Sequence, residues 1–451
     1  MKSKLALSAV VALSALMGCG TPDRGTSSTG GTSGTGGGSG GATTGNGGTS
    51  STASGDSGGT TSSGGARASG GATGSGGAPA SGGSTGSGGA ISSGGVSGSG
   101  GATGSGGAPA SGGSTGGSIG TGPQGPCDIY QAASPPTPCA AAHSTVRALY
   151  AGYTGPLYQL RKKSDSSTKD VPVGAGGFVD ISVHNSFCPS GTACTISVIY
   201  DQSPNKNDLK KSGTALWLKN GGNEADASLA QITVSGHVAH GIYVDNDGST
   251  AKDVAYRNNA TKGLATGDQA EAMYMVLDGK RFSSICCFDY GNAETTNSDS
   301  GSATMEALYF GDSVQFSGST GMGNGPWVAA DLENGMYAGD SSQINKKVTT
   351  TNTSITDWAY VTGMLKGPSG GKMGLKAGNA QSGKLETKWD GNRPPGYSPM
   401  KKQGSIILGT GGDGSDYGKG TFWEGCITSG NPTDATDDLV QENIVAAGYG
   451  K

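Results

Sequence analysis

Residues 126–451 predict an all-β sandwich, and three observations carry that expectation. Short runs rich in β-branched and aromatic residues recur at 195–200, 231–234, 271–277, 307–310, 327–332, 359–364, 405–409 and 421–428. Turn signals separate them, at Ser203-Pro204-Asn205, Asn220-Gly221-Gly222, Asp245-Asn246-Asp247-Gly248 and Gly370-Gly371. Helical periodicity is scarce, and that combination is the pattern of a sandwich.

Taken in chain order, the globular part opens on the Ala-rich segment 140–150, which reads as a helix. The strand-like runs follow, and 437–447 closes the chain as a second helix, with Thr436 as its N-cap and Gly448 as its stop. All 5 tryptophans fall within 126–451, a length ample for a sizeable core. The net charge of -4 leaves no basic footprint, so nucleic acid is not an expected partner, and a monomer is expected.

The first 125 residues have a different character. Lys2 and Lys4 precede an apolar run at 5–17, too short to span a membrane, and Gly18-Cys19 follows it. Residues 1–19 therefore read as an export signal. Leu16-Met17-Gly18-Cys19 resembles the lipobox of bacterial lipoproteins, which implies a lipid on Cys19 and an anchor in a bacterial membrane. Gly20 after Cys19 favours the outer membrane or cell surface, with release from the cell or a plain, unlipidated signal as the alternative. Residues 20–125 are almost wholly Gly, Ser, Thr and Ala, and 69–86 recurs residue for residue at 99–116. With no large apolar residue to bury, the repeat is expected to be a disordered linker rather than a solenoid. A Gly-rich coil of that length has an r.m.s. span of about 55–60 Å.

Export makes disulfides durable. Of 8 cysteines, assigning Cys19 to lipid leaves an odd set, so one thiol stays unpaired within the chain. Local spacing suggests Cys127 with Cys139, Cys188 with Cys194, and Cys286 with Cys287, leaving Cys426 free; other connectivities stay open. Adjacent α-carbons lie about 3.8 Å apart across a trans peptide, closer than the roughly 4.4–6.8 Å usual for a disulfide. A bond between Cys286 and Cys287 thus implies a strained ring, and strain of that kind concentrates at functional sites. The spacings do not form a zinc ligand set, and no metal or organic cofactor is expected.

Candidate chemistry lies in two segments. Along a strand at 327–332, Trp327, Ala329, Asp331 and Glu333 share one face, with Val328, Ala330 and Leu332 on the core face. An exposed tryptophan beside two carboxylates is the equipment of a sugar site; an ordinary solvated strand end is the plainer reading of that segment alone. In the second segment, Gly409-x-Gly411-x-x-Gly414 follows a strand, yet the residues after Gly414 are not helical, which excludes a dinucleotide fingerprint. What remains is Asp413, an exposed carboxylate on a glycine loop that a ligand can approach closely. Gly367-Pro368-Ser369-Gly370-Gly371 reads as a hairpin turn and not a nucleophile elbow. His237 and His240, three apart on a strand, point to opposite faces and do not form a metal pair. With 4 histidines in all, acid-base work falls to carboxylates, and paired carboxylates on an exported β-fold point to glycoside hydrolysis.

Several motifs carry a family resemblance: Gly125-Pro126-Cys127-Asp128-Ile129-Tyr130, Ile199-Tyr200-Asp201-Gln202-Ser203, Tyr256-Arg257-Asn258-Asn259, Asp331-Leu332-Glu333-Asn334, and the run from Cys286 through Glu294. Over the whole globular part the chain resembles the catalytic domain of family 54 glycoside hydrolases, the α-L-arabinofuranosidase B family. That resemblance implies a concanavalin-like, jelly-roll β-sandwich and an exo-acting, retaining arabinofuranosidase that acts on arabinose-containing plant polysaccharides. It implies Glu333 as nucleophile and Asp413 as acid/base, with Asp331, Asn334 and Gly412 holding the sugar. The Cys286–Cys287 disulfide is implied to pack against the furanose ring, and Phe316 to fall near a position where the family has a subsite tryptophan. Proximity of Glu333 is expected to raise the pKa of Asp413. The alternative is a surface lipoprotein that binds polysaccharide through an inactive hydrolase-like domain.

Overall fold

The strand Glu271–Asp278 shows how this sequence builds its core. Met273 projects toward the opposing sheet, where a Cβ added to Gly291 would meet its sulfur at 2.7 Å. Tyr274 turns the other way and donates to Glu424 at 3.2 Å. Both faces are covered, so a run without polar alternation suits this position. The computed structural model describes residues 122–246, 253–312, 323–339 and 351–451; Cys19, the linker as far as residue 121, and Phe316 lie outside them.

Two antiparallel sheets form a sandwich. In the seven-stranded sheet, Cys139–Ser144, Lys419–Ser429, Glu271–Asp278, Tyr360–Gly367, Lys372–Asn379 and Glu386–Asn392 lie side by side, and Ile242–Asp245 also pairs with Lys419–Ser429. The eleven-stranded sheet begins Met336–Tyr337, Trp327–Asp331, Glu306–Gly311, Asp289–Ala293, Ser405–Leu408 and Tyr256–Asn258, then continues to the edge strand Thr168–Pro172. Leu308, Phe310, Val328 and Ala330 enter the main core between the sheets. Their neighbours Ala307, Tyr309 and Ala329 face the other way, into two smaller buried clusters. The eleven-stranded sheet therefore has a second covered face, and the candidate site is built there.

The outer face of the seven-stranded sheet is closed by helices. Lys366 and Lys376 each reach Asp434 and Asp437 of the helix Asp434–Ala446, at 2.6–3.1 Å. The Cys127–Cys139 disulfide ties the helix Pro126–Ala132 to the first strand of this sheet. Arg147 grips Glu424 through two bonds of 2.6 and 2.7 Å and reaches Asn443 of the closing helix.

Two expectations about helices are corrected, and two further helices were not foreseen. Segment 140–150 holds the strand Cys139–Ser144, not a helix; it pairs with Lys419–Ser429, and the Asp201 carboxylate accepts its Ala142 N–H at 2.8 Å. Tertiary pairing overrides the helical propensity of its alanines. The last helix starts one turn earlier than expected, capped by Thr433, whose hydroxyl accepts from the Thr436 N–H at 3.2 Å. Finally, Pro126–Ala132 and Ile181–Phe187 are helices too short to show a period, set by Pro at the first turn and by the Asp180 cap.

Candidate active site

The strand Trp327–Asp331 leads into the site and stops short of Glu333. Leu332 donates to the Gly335 carbonyl at 3.1 Å, and the two residues between them, Glu333 and Asn334, have φ of 63° and 57°. Two central residues at positive φ are the signature of a type I′ hairpin turn. Strand alternation thus does not place Glu333, as expected from sequence; the turn does, with a carboxylate-bearing residue held in a left-handed conformation that non-glycine residues seldom adopt. Asp331 Oδ1 accepts the Glu333 N–H at 3.1 Å and braces that turn. Trp327 is 2 % exposed, so it packs within the protein and offers no open stacking surface.

Asp413 comes from the loop that follows the strand Ser405–Leu408. The loop is closed by bonds from Gly411 N–H to Ser415 O, 2.8 Å, and from Gly414 N–H to Gly411 O, 3.1 Å. Contrary to the expectation of an exposed carboxylate, Asp413 is 2 % exposed. Its Oδ1 accepts from the Ser415 N–H at 2.9 Å while Oδ2 has no partner among the described residues. Trp217, half-buried, donates its backbone N–H to the Asp413 carbonyl at 3.1 Å. Gly412 is required by closeness: a Cβ there would lie 2.0 Å from Glu294 Oε2.

Between these two loops sits the vicinal disulfide of Cys286 and Cys287. Its peptide bond is cis, not the trans form assumed from sequence, and the α-carbons are 3.0 Å apart. Cys287 Sγ lies 3.5 Å from both Asp331 Oδ2 and Ser415 Oγ, so the disulfide touches the turn of Glu333 on one side and the loop of Asp413 on the other. Cys286, Cys287, Asp289 and Asp331 place their ligand atoms within 4.8 Å of one another. The two cysteines are joined in a disulfide and have no thiolate to give a metal, which leaves two carboxylates of the four groups. Asn334 donates to Asp299 at 3.0 Å.

Five carboxyl groups crowd this face: Asp289, Glu294, Asp331, Glu333 and Asp413, each at most 7 % exposed. Burial is the first cause of a raised pKa in all five. Asp331 is pushed up to about 7. Glu333 is pushed up to about 12, with the charges of Glu294, Asp331 and Asp413 adding to burial. Asp413 is raised by burial and by the charge of Asp299, against bonds from Ser415 and Trp217 that favour its anion; the expected control by Glu333 is replaced by these causes. Arg257, on the strand Tyr256–Asn258, supplies positive charge, although burial pulls its own pKa down to about 10.

Sequence reasoning assigned no role to Arg257, Asp289, Glu294 or Trp217. The first three lay inside the motifs that carried the resemblance, where an acid or base among strand residues was the available signal. Trp217 sits in an irregular segment, and nothing local linked it to Asp413.

The family model described as "Alpha-L-arabinofuranosidase B, catalytic" matches residues 126–450. A probable α-L-arabinofuranosidase B of Aspergillus fumigatus is 47% identical over 332 residues, covering 72% of this chain and 62% of that protein. An α-L-arabinofuranosidase of Hypocrea jecorina is 47% identical over 331 residues, covering 72% of this chain and 63% of its own length. A solved arabinofuranosidase complexed with arabinofuranosyl-α-1,2-xylobiose superposes with a TM-score of 0.66 at 44% identity, covering 72% of this chain and 66% of that one. This chain thus spans just under two thirds of the length of these relatives. A family match across 126–450, on a sandwich that carries the clustered carboxyls on one sheet face, establishes that the chain belongs to the α-L-arabinofuranosidase B catalytic-domain family, family 54 of the glycoside hydrolases.

Proposed function

We propose that this chain is an exo-acting, retaining α-L-arabinofuranosidase. The observation that supports the reading is that the hairpin turn carrying Glu333 and the glycine loop carrying Asp413 both reach the Cys286–Cys287 disulfide, through Asp331 and Ser415. Glu333 attacks the anomeric carbon of a terminal arabinofuranosyl unit. Asp413, whose pKa burial raises, gives its proton through the unpartnered Oδ2 to the departing glycosidic oxygen. An arabinosyl ester forms on Glu333 as that bond breaks. Asp413 then takes a proton from water, whose oxygen attacks the same carbon, and arabinose leaves with its configuration retained. Asp331, Asn334 and the Gly412 backbone hold the sugar, and the disulfide is the apolar plate beneath the ring.

Arabinoxylan side chains are the proposed substrate, in keeping with the arabinofuranosyl-xylobiose bound by the relative of known structure. The proposed division is an export signal at 1–19, a linker at 20–125 and the catalytic domain at 126–451, with Cys19 lipidated and the enzyme held at the surface of a bacterial cell. Hydrolysis of a chromogenic α-L-arabinofuranoside tests the activity. Turnover by the wild type with loss of about 10³-fold or more in Glu333→Gln supports it. An inert wild type that still binds arabinoxylan favours a binding protein instead.

A further inference from the structure

The loop of Asp413 is held by its backbone from two directions. Arg257 Nη1 donates to the Gly412 carbonyl at 2.6 Å, and the Trp217 N–H donates to the Asp413 carbonyl at 3.1 Å. The two holders come from separate segments, and both lead to Asn297. On one flank Arg257 Nε donates to Asn259 Oδ1 at 2.6 Å, and Asn259 Nδ2 donates to Asn297 Oδ1 at 2.6 Å. On the other flank Asn297 Nδ2 donates to the Thr214 carbonyl at 2.9 Å, and the Asn297 carbonyl accepts the Leu216 N–H at 3.0 Å. That fixes the segment ending on Trp217, which lies hard against the loop: a Cβ added to Gly414 would stand 2.4 Å from Ala215 Cβ. Bonds and backbone thus close a ring from Asp413 through Trp217, Leu216, Asn297, Asn259, Arg257 and Gly412.

The residue type at 297 fits this junction. Its φ of 59° is left-handed, a conformation that asparagine takes more readily than most residues. Its amide offers both an acceptor and donors, and the ring uses one of each. The same loop also reaches the turn of Glu333, since Asp299 accepts from Asn334 Nδ2 at 3.0 Å.

We infer that Asn297 is a positioning residue for the proton donor, setting the backbone of the Asp413 loop through Arg257 on one flank and Trp217 on the other. The inference rests on the reading of Asp413 as acid/base. In the first step the Asp413 proton passes to the leaving oxygen as the glycosidic bond breaks and Glu333 bonds the anomeric carbon; Asn297 gives and takes no proton. Transfer requires the carboxyl within hydrogen-bond reach of that oxygen, and a displacement of about 1 Å can cost about 10²-fold. Loss of Asn297 is therefore felt where protonation of the leaving group limits the rate.

The test is kcat/KM on two substrates, arabinofuranosyl-xylobiose, whose sugar leaving group needs the proton, and an aryl α-L-arabinofuranoside with an activated phenolate leaving group. Asn297→Gly keeps the left-handed backbone and the Leu216 bond and removes both amide bonds. Asn297→Asp is nearly isosteric and keeps the acceptor for Asn259, but it sets two acceptors face to face at Thr214; it carries the test if Asn297→Gly does not fold. At a melting temperature matched to wild type, each variant is expected to lose about 10-fold or more on arabinofuranosyl-xylobiose and no more than about 3-fold on the aryl substrate. A merely structural role would lower both alike. Asp413→Asn, measured beside them, separates the two levels. If it shows the split between substrates and the Asn297 variants lose nothing, or lose equally on both, the positioning role is overturned and the acid/base reading stands. If Asp413→Asn itself loses equally on both substrates, the acid/base reading falls and the inference with it.

Discussion

Arg257 Nη1 donates to the carbonyl of Gly412 at 2.6 Å, while Nη2 of the same guanidinium donates to the carbonyl of Glu294. One side chain thereby ties the loop of Asp413 to the end of the strand Asp289–Ala293. A lysine has charge but no fork with which to hold two carbonyls at once. Arg257→Lys is expected to lower kcat/KM by about 10²-fold through misplacement of the loop. Arg257→Met also removes positive charge, so the carboxyl pKa values rise and the acid limb of the pH profile moves up. Steady-state kinetics with a melting curve for each variant checks both.

Asp413 is raised by burial first, and its proton is the one the leaving group needs. Asp413→Asn is therefore expected to depress hydrolysis of arabinoxylan by about 10²–10⁴-fold. On an activated aryl glycoside, whose phenolate departs unaided, the loss in the first step should be far smaller. In the wild type, activity on the polymer declines as pH rises through the folded pKa of Asp413. Equal losses on both substrates would remove the acid role.

A second buried charge cluster makes a prediction about stability. Glu306 accepts from Arg393 at 2.6 Å and from Lys402 at 2.8 Å, and Lys402 also lies 3.2 Å from Glu271, with every one of these side chains at most 1 % exposed. Burial alone would raise Glu306, but Lys402 and Arg393 outweigh it and hold it below the usual carboxylate range. Glu271 is pushed up to about 7, again by burial first. Glu306→Gln should cost about 3–5 kcal/mol at neutral pH by leaving two buried cations short of a partner, and Glu271→Gln much less. Because the folded pKa of Glu306 is depressed, its contribution is present above the unfolded value, roughly 4.3, and is lost as pH falls through the folded one. Denaturant melts of both variants at pH 7 and pH 4 test the contrast.

Cys286 and Cys287 contribute to the site by contact with both loops. Replacing both with serine is expected to raise KM for arabinosides several-fold as the apolar plate is lost, with little change in the melting temperature, since the bond closes no loop of chain. Cys127→Ser with Cys139→Ser, which opens a closure of sequence separation 12, should instead cost about 3 kcal/mol of stability and leave KM alone. Unchanged kinetics in the Cys286/Cys287 variant would deny the plate its role.

Much of this was legible in the sequence where local chemistry and fold agree. The strand at 231–234 is found at Gln231–Val234, because alternation and a flanking Ser235-Gly236 turn both mark it. Gly367 to Gly371 is the hairpin turn it resembled, joining Tyr360–Gly367 to Lys372–Asn379. His237 and His240 do diverge, one stacked on Phe178 and the other on His184. What stayed hidden depends on groups distant in sequence. The alanines at 140–142 read as helix until their partner strand near residue 427 is known. Trp217, which meets the Asp413 backbone, lies far from it along the chain, and the crowding of five buried carboxyls needs the second face of a sheet to be covered at all.

The role of Glu333 as nucleophile is tested by covalent trapping. The enzyme is inactivated with an arabinofuranose-configured cyclic sulfate, digested, and its peptides mapped by mass spectrometry. One added glycosyl unit is expected on the peptide that contains Glu333, at that carboxylate, with no labelling of Glu333→Gln. A stable adduct on Asp331 or Asp413, or none in an enzyme that turns over substrate, would contradict it.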